Sequence, residues 1–98
     1  MIIESSHCFM RTFQIQIQNK LGLHARASAK LVATAARFQS RIDITKGDQV
    51  INGKSIMSVM MLAANLGTQL SISCEGPDEE AMEKAIISLI EQRFHEEE

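Results

Sequence analysis

Ninety-eight residues suffice for one domain with a single modest core, and 45% apolar with 22% charged side chains is ordinary globular chemistry. A net charge of −2 with no Trp or Tyr removes both the electrostatic footprint and the stacking platforms of a nucleic-acid binder. No apolar run approaches the ~18 residues that cross a bilayer, and no basic stretch followed by an apolar one opens the chain, so neither a membrane insertion nor a secretory signal is expected.

Met1 to Met10 have no hydrophobic period and read as an extension, with Met10 as an alternative start. Cys8 and Cys74 are far apart and form no Cys-x-x-Cys, so both are expected reduced, as in a cytoplasmic protein. His7, Cys8 and His95 lack the spacing of a ligand set, and no metal or cofactor is expected. From Thr12 to Gln18 the pattern is strict. Phe13, Ile15 and Ile17 alternate with Thr12, Gln14, Gln16 and Gln18, which predicts a half-buried strand. Asn19 to Gly22 then reads as a loop.

Ala25 to about Arg37 are strong helix formers, and Ala27, Leu31, Ala35 and Phe38 make one apolar stripe. His24 therefore falls near the helix N-cap and Arg26 in the first turn, with Lys30 one turn on. The first turn of a helix has unpaired N–H groups and partial positive charge, which attract anions. Imidazole offers a nucleophilic nitrogen near neutral pH, and guanidinium matches phosphate oxygens. His24 and Arg26 are thus candidates for holding a phosphoryl group. A histidine before a helix is, more commonly, just a cap or a loop residue, so the rest of the chain must decide.

Ser40 to Thr45 alternates on Ile42 and Ile44, turns at Lys46-Gly47-Asp48 and returns along Gln49-Val50-Ile51 as a hairpin. Gly47 to Ser55 mimics a Gly-x4-Gly-Lys-Ser phosphate loop, but Gly47 and Gly53 are one residue too far apart, and nucleotide binding is rejected. Asn52 to Ser55 reads as a turn in which Ser55 caps a short helix from Ile56 to Ala64. That helix is apolar on too many sides, so some of Met57, Met60 and Met61 should be exposed as a docking patch. Asn65 to Thr68 ends it, with Gly67 suited to the left-handed terminating position. Leu70, Ile72 and Cys74 alternate along a last strand from Gln69 to Glu75. Gly76 to Glu80 opens a final helix with a Met82, Ile86, Leu89, Ile90 and Phe94 stripe. The tail His95-Glu96-Glu97-Glu98 should be solvated. Strands and helices in this order imply an antiparallel or mixed sheet with helices on one face.

Gly22-Leu23-His24-Ala25-Arg26, the downstream Asn52-Gly53-Lys54-Ser55-Ile56-Met57 and the element order resemble the HPr phosphocarrier family of the bacterial phosphotransferase system. The resemblance covers about Arg11 to Phe94. It implies an open-faced α/β (α+β) sandwich over residues 11–94, with a four-stranded antiparallel sheet and three helices packed on one face. Residues 1–10 would be an extension and 95–98 an acidic tail. It also implies that His24 takes phosphate through Nδ1 from phosphorylated enzyme I, charged by phosphoenolpyruvate, and passes it to an enzyme IIA domain. Arg26 would neutralise the phosphoryl charge, and Ser55 would be the regulatory serine phosphorylated by an HPr kinase. Met57 and Met60 would dock partners, with Lys30 and Lys54 at the rim. A monomeric cytoplasmic carrier in sugar transport, without independent turnover, is the expected protein. Family members usually carry Pro where Ala27 stands; alanine is well tolerated in a helix, so the chemistry should survive with a differently held first turn. A nitrogen-regulatory paralogue has the same chemistry, and a ligand-sensing or protein-interaction module is the alternative from another class.

Overall fold

The computed structural model describes residues 10–96. His7, Cys8 and the rest of the expected extension up to residue 9 lie outside them, as do Glu97 and Glu98. Period-two alternation sets β1 (Arg11–Gln16), β2 (Arg41–Lys46) and β4 (Gln69–Glu75), and the hairpin turn after β2 sets β3 (Gln49–Asn52). They form one antiparallel sheet in the order β1-β4-β2-β3, with Phe13 opposite Ile72 and Ile42 opposite Cys74. Ile15, Ile42, Ile44, Leu70, Ile72 and Cys74 all point to the buried face. The other face carries Thr12 and Ser73, whose hydroxyls meet at 3.1 Å. Burial pushes the Cys74 thiol up to about 11, helped by Glu83 and Glu79, which leaves it protonated and unreactive.

Three helices cover the apolar face: α1 (Ala25–Ala36), α2 (Ile56–Met61) and α3 (Glu79–Glu91). α1 contributes Ala27, Leu31 and Ala35, α2 contributes Val59, and α3 contributes Met82, Ile86, Leu89 and Ile90. The small alanines let α1 lie close to its neighbours. β1 stops before Ile17, but Ile17 stays buried and exchanges backbone hydrogen bonds with Gly67 and Thr68. α2 is shorter than its composition suggests. Ala63, at φ 55°, takes the left-handed position after it, while Gly67 serves the later turn into β4. The Lys46 ammonium closes that helix end by donating to the Leu62 and Ala63 carbonyls at 3.0 and 3.2 Å.

Asp78 is the N-cap residue of α3, but its side chain makes no cap bond and instead ties α3 to the chain entering β2. Its carboxylate accepts from the Gln39 N–H at 2.9 Å, the Ser40 N–H at 2.9 Å and the Ser40 hydroxyl at 2.5 Å. The Ser40 hydroxyl and the Gln39 N–H outweigh burial and hold this carboxyl below the usual range. A depressed carboxyl stabilises the fold above its unfolded value of about 3.9 and loses that contribution as pH falls through the folded one. Asp78→Asn is therefore less resistant to urea than the parent at pH 7, and the gap narrows at pH 3. Urea midpoints at the two pH values measure it.

Candidate functional site

The chain leaves the loop after β1 through Gly22, and the Leu23 N–H donates to the Ala64 carbonyl at 2.8 Å. That bond fixes the entry of α1 against the segment that follows α2. His24 is the N-cap residue, extended at φ −77° and ψ −176°. Its carbonyl accepts the first helical bond from Ser28 at 2.8 Å. The Ser28 hydroxyl, fully buried, returns to the Leu23 carbonyl at 3.0 Å. Histidine here does the work usually given to Ser or Asp: its Nδ1 accepts from the Arg26 N–H at 3.3 Å.

The side chain of His24 is 29% exposed. No acidic residue stands in the first turn of α1, so the positive end of the helix faces the imidazole unopposed from its own element. Arg26 is exposed, and among the described residues its guanidinium makes no ion pair. Ala27, in place of the proline usual in the resembled family, packs fully buried beneath this turn. A nitrogen lone pair, orphan N–H groups and a free guanidinium thus meet at one helix end. That set can bind a phosphoryl group and accept it covalently.

The opposite ring nitrogen is engaged as well. Nε2 lies 2.5 Å from a carboxylate oxygen of Glu96, in the tail expected to be solvated. The Glu96 side chain is only 6% exposed. The Asn19 amide, itself buried, donates to its other oxygen at 3.0 Å and to the Gly22 carbonyl at 2.8 Å. Burial alone would push the Glu96 carboxyl up; hydrogen bonds from Asn19 and His24, with the charges of His24 and Lys30, outweigh it and hold it below the usual range. Glu96 and Asn19 were the site residues the sequence did not expose. The available signal was Phe94, an apolar residue whose burial two positions before Glu96 keeps that carboxylate near the core.

Ser55 is the N-cap of α2 and accepts from the Ser58 N–H at 3.3 Å. α2 buries Val59 and turns outward Met57 at 64%, Met60 at 38% and Met61 at 73% exposure. α1 and α2 are in contact. The two lysines are less free than their charge suggests: Lys30 donates to the Phe94 carbonyl at 2.5 Å and Lys54 to the Phe38 carbonyl at 2.8 Å. Among the described residues, no group of three His, Cys, Asp or Glu is placed to hold a metal ion, and no helix is long and apolar enough to cross a membrane.

The family model for the PTS HPr component phosphorylation site matches residues 11–92. The phosphocarrier protein HPr of Neisseria meningitidis (strain MC58) is 50% identical over 82 residues, which are 84% of this chain and 92% of that protein. HPr of Pseudomonas aeruginosa is 46% identical over 88 residues, 89% of this chain and 98% of its own. Among solved structures, HPr-C-His from Thermoanaerobacter tengcongensis superposes with a TM-score of 0.86 at 44% identity, covering 90% of this chain and 99% of that one. Fold and relatives agree on a small phosphocarrier of the open-faced sandwich class. The chain belongs to the HPr family of the phosphotransferase system.

Proposed function

We propose that Nδ1 of His24 accepts a phosphoryl group from phosphorylated enzyme I and passes it to an enzyme IIA domain. The observation that carries this reading is the hydrogen-bond pattern of the ring. Nδ1 is an acceptor at the start of α1, and Nε2 is turned to a carboxylate, so the lone pair sits on Nδ1. In-line transfer needs positioning and charge stabilisation more than covalent machinery. The Nδ1 lone pair attacks phosphorus as the donor's bond to it breaks. The first-turn N–H groups and Arg26 meet the charge on the equatorial oxygens.

A carrier must let two partners reach the same nitrogen, which suits a partly exposed histidine beside a helix with outward methionines. Met57 and Met60 supply adaptable apolar contact, and the stems of Lys30 and Lys54 extend the rim. Transient docking of this kind suits a monomer over the carrier domain, residues 11–94, working in the cytoplasm in sugar transport. Ser55 is the regulatory position for an HPr kinase. A phosphate dianion at the cap of α2 would be locally favourable, yet would repel acidic partners from the same face.

The test is intact-mass analysis after incubation with phosphoenolpyruvate and enzyme I, followed by an acid wash. One phosphate that is lost in acid is expected; no added mass, with enzyme I active on another carrier, overturns the reading. Arg26→Ala should still be charged, but roughly 10²-fold more slowly, as when one preorganised charge donor is removed. Arg26→Lys should recover part of that rate, since it keeps the charge and loses the planar fork. Rapid-quench kinetics with enzyme I in excess read both.

A further inference from the structure

The tail reaches His24 by an unusual backbone path. Arg93, Phe94 and His95 are three consecutive non-glycine residues in the left-handed region, at φ 56°, 56° and 61°. L-residues adopt that region singly and at a cost, and a run persists only where surrounding contacts over-determine it. Here the contacts are visible. Phe94 is fully buried, and its carbonyl accepts the Lys30 ammonium at 2.5 Å. The turn thus delivers Glu96 to Nε2 of His24, where Asn19 holds the second carboxylate oxygen.

From this geometry we infer that Glu96 is a positioning residue for His24: its carboxylate accepts a hydrogen bond from the Nε2–H and so fixes the ring in the orientation and tautomer that make Nδ1 the nucleophile. The inference rests on the phosphocarrier reading for its consequence, but the tautomer is a property of the resting protein. An imidazole exchanges its proton between two nitrogens, and its ring can turn over; a hydrogen bond to one nitrogen selects both. Nδ1 accepts the Arg26 N–H at 3.3 Å, a longer contact than the 2.5 Å one that Nε2 makes with Glu96. During transfer the bond from Nδ1 to phosphorus forms, and the electron pair of the broken bond departs with the donor. The proton stays on Nε2, and the positive charge gained by the ring meets the Glu96 carboxylate. A carboxylate behind a reacting imidazole plays the same part in other enzyme sites.

Two variants of the full chain test this, with Glu96→Ala removing the acceptor and Glu96→Gln keeping a carbonyl acceptor without the charge. The 15N shifts of the His24 ring, at a pH where it is neutral, read the tautomer without any partner protein. The parent should show widely separated shifts, pyridine-like for Nδ1 and pyrrole-like for Nε2. In Glu96→Ala the separation should shrink toward that of free imidazole, and in Glu96→Gln it should be largely retained. Charging by enzyme I should slow roughly tenfold in Glu96→Ala, with Glu96→Gln between it and the parent. Unchanged ring shifts in Glu96→Ala, with the parent charged normally, overturn the positioning role. Altered shifts in a chain that enzyme I never charges support it and overturn the phosphocarrier reading instead.

Discussion

On the proposed reading, His24→Ala should lose uptake of phosphate from phosphoenolpyruvate and enzyme I by roughly 10⁴-fold or more, because it lacks the proposed covalent acceptor. The groups left behind, Arg26 and the N–H groups of the first turn, bind anions but form no bond to phosphorus. The fold should survive. The His24 side chain is 29% exposed and belongs to no packed apolar cluster, so its removal opens no cavity. The cost is one helix cap, about 1 kcal/mol, together with the partner of Glu96. His24→Asn restores the cap without the nucleophile and should be as inert as the alanine variant. Intact-mass analysis after charging, beside thermal unfolding by circular dichroism, separates lost chemistry from lost structure. Phosphate retained on the alanine variant would assign the acceptor to another residue.

Gly22→Ala should produce the largest loss of stability of any single methyl group added near the site. Gly22 sits at φ 68°, and a Cβ there would lie 2.4 Å from the Ala64 carbonyl oxygen and 2.8 Å from the Asn65 Cα. Both are backbone atoms held by the Leu23 to Ala64 hydrogen bond, so neither can swing away as a side chain would. The left-handed conformation alone costs alanine about 1–2 kcal/mol. With the backbone displacement added, about 2–4 kcal/mol is expected, at the upper end of ordinary single substitutions. For a domain of this size that lowers the thermal midpoint by roughly 10–25 °C. Gly67→Ala is the control: Gly67 has φ 89° but nothing within 4 Å of an added Cβ, so it bears the conformational cost without the collision. The Gly22 carbonyl also accepts the Asn19 amide that steadies Glu96. Gly22→Ala should therefore disturb the His24 ring as well as the fold, and a midpoint equal to that of Gly67→Ala would show that the loop yields.

The remaining local elements illustrate what a sequence carries. Alternation placed β1, β2 and β4, because side chains on a strand point to opposite faces by covalent geometry alone, and the turn at Lys46-Gly47-Asp48 placed β3. The stripe Ala27, Leu31 and Ala35 placed α1, and with it His24 at the cap and Arg26 in the first turn, since a helix start fixes its neighbours within one turn. Ser55 as the cap of α2 followed in the same way. What stayed hidden was set by distance along the chain or by packing. The ammonium groups of Lys30 and Lys54, read only as charges at a docking rim, also reach carbonyls 64 and 16 residues away, which nothing local signals. The left-handed end of α2 falls on Ala63 rather than Gly67, between buried Leu62 and Ala64 and under the Lys46 ammonium that binds the Leu62 and Ala63 carbonyls.

By itself, then, the sequence determined the elements, the buried face of each, and the placing of His24 and Arg26 at the start of α1, all through contacts made within a few residues. Only the tertiary structure decided that the acidic tail closes on the imidazole, for Glu96 and His24 are 72 residues apart. No local propensity encodes that contact. It exists because the burial of Phe94 anchors the tail to the core and brings one carboxylate within hydrogen-bonding reach of the site.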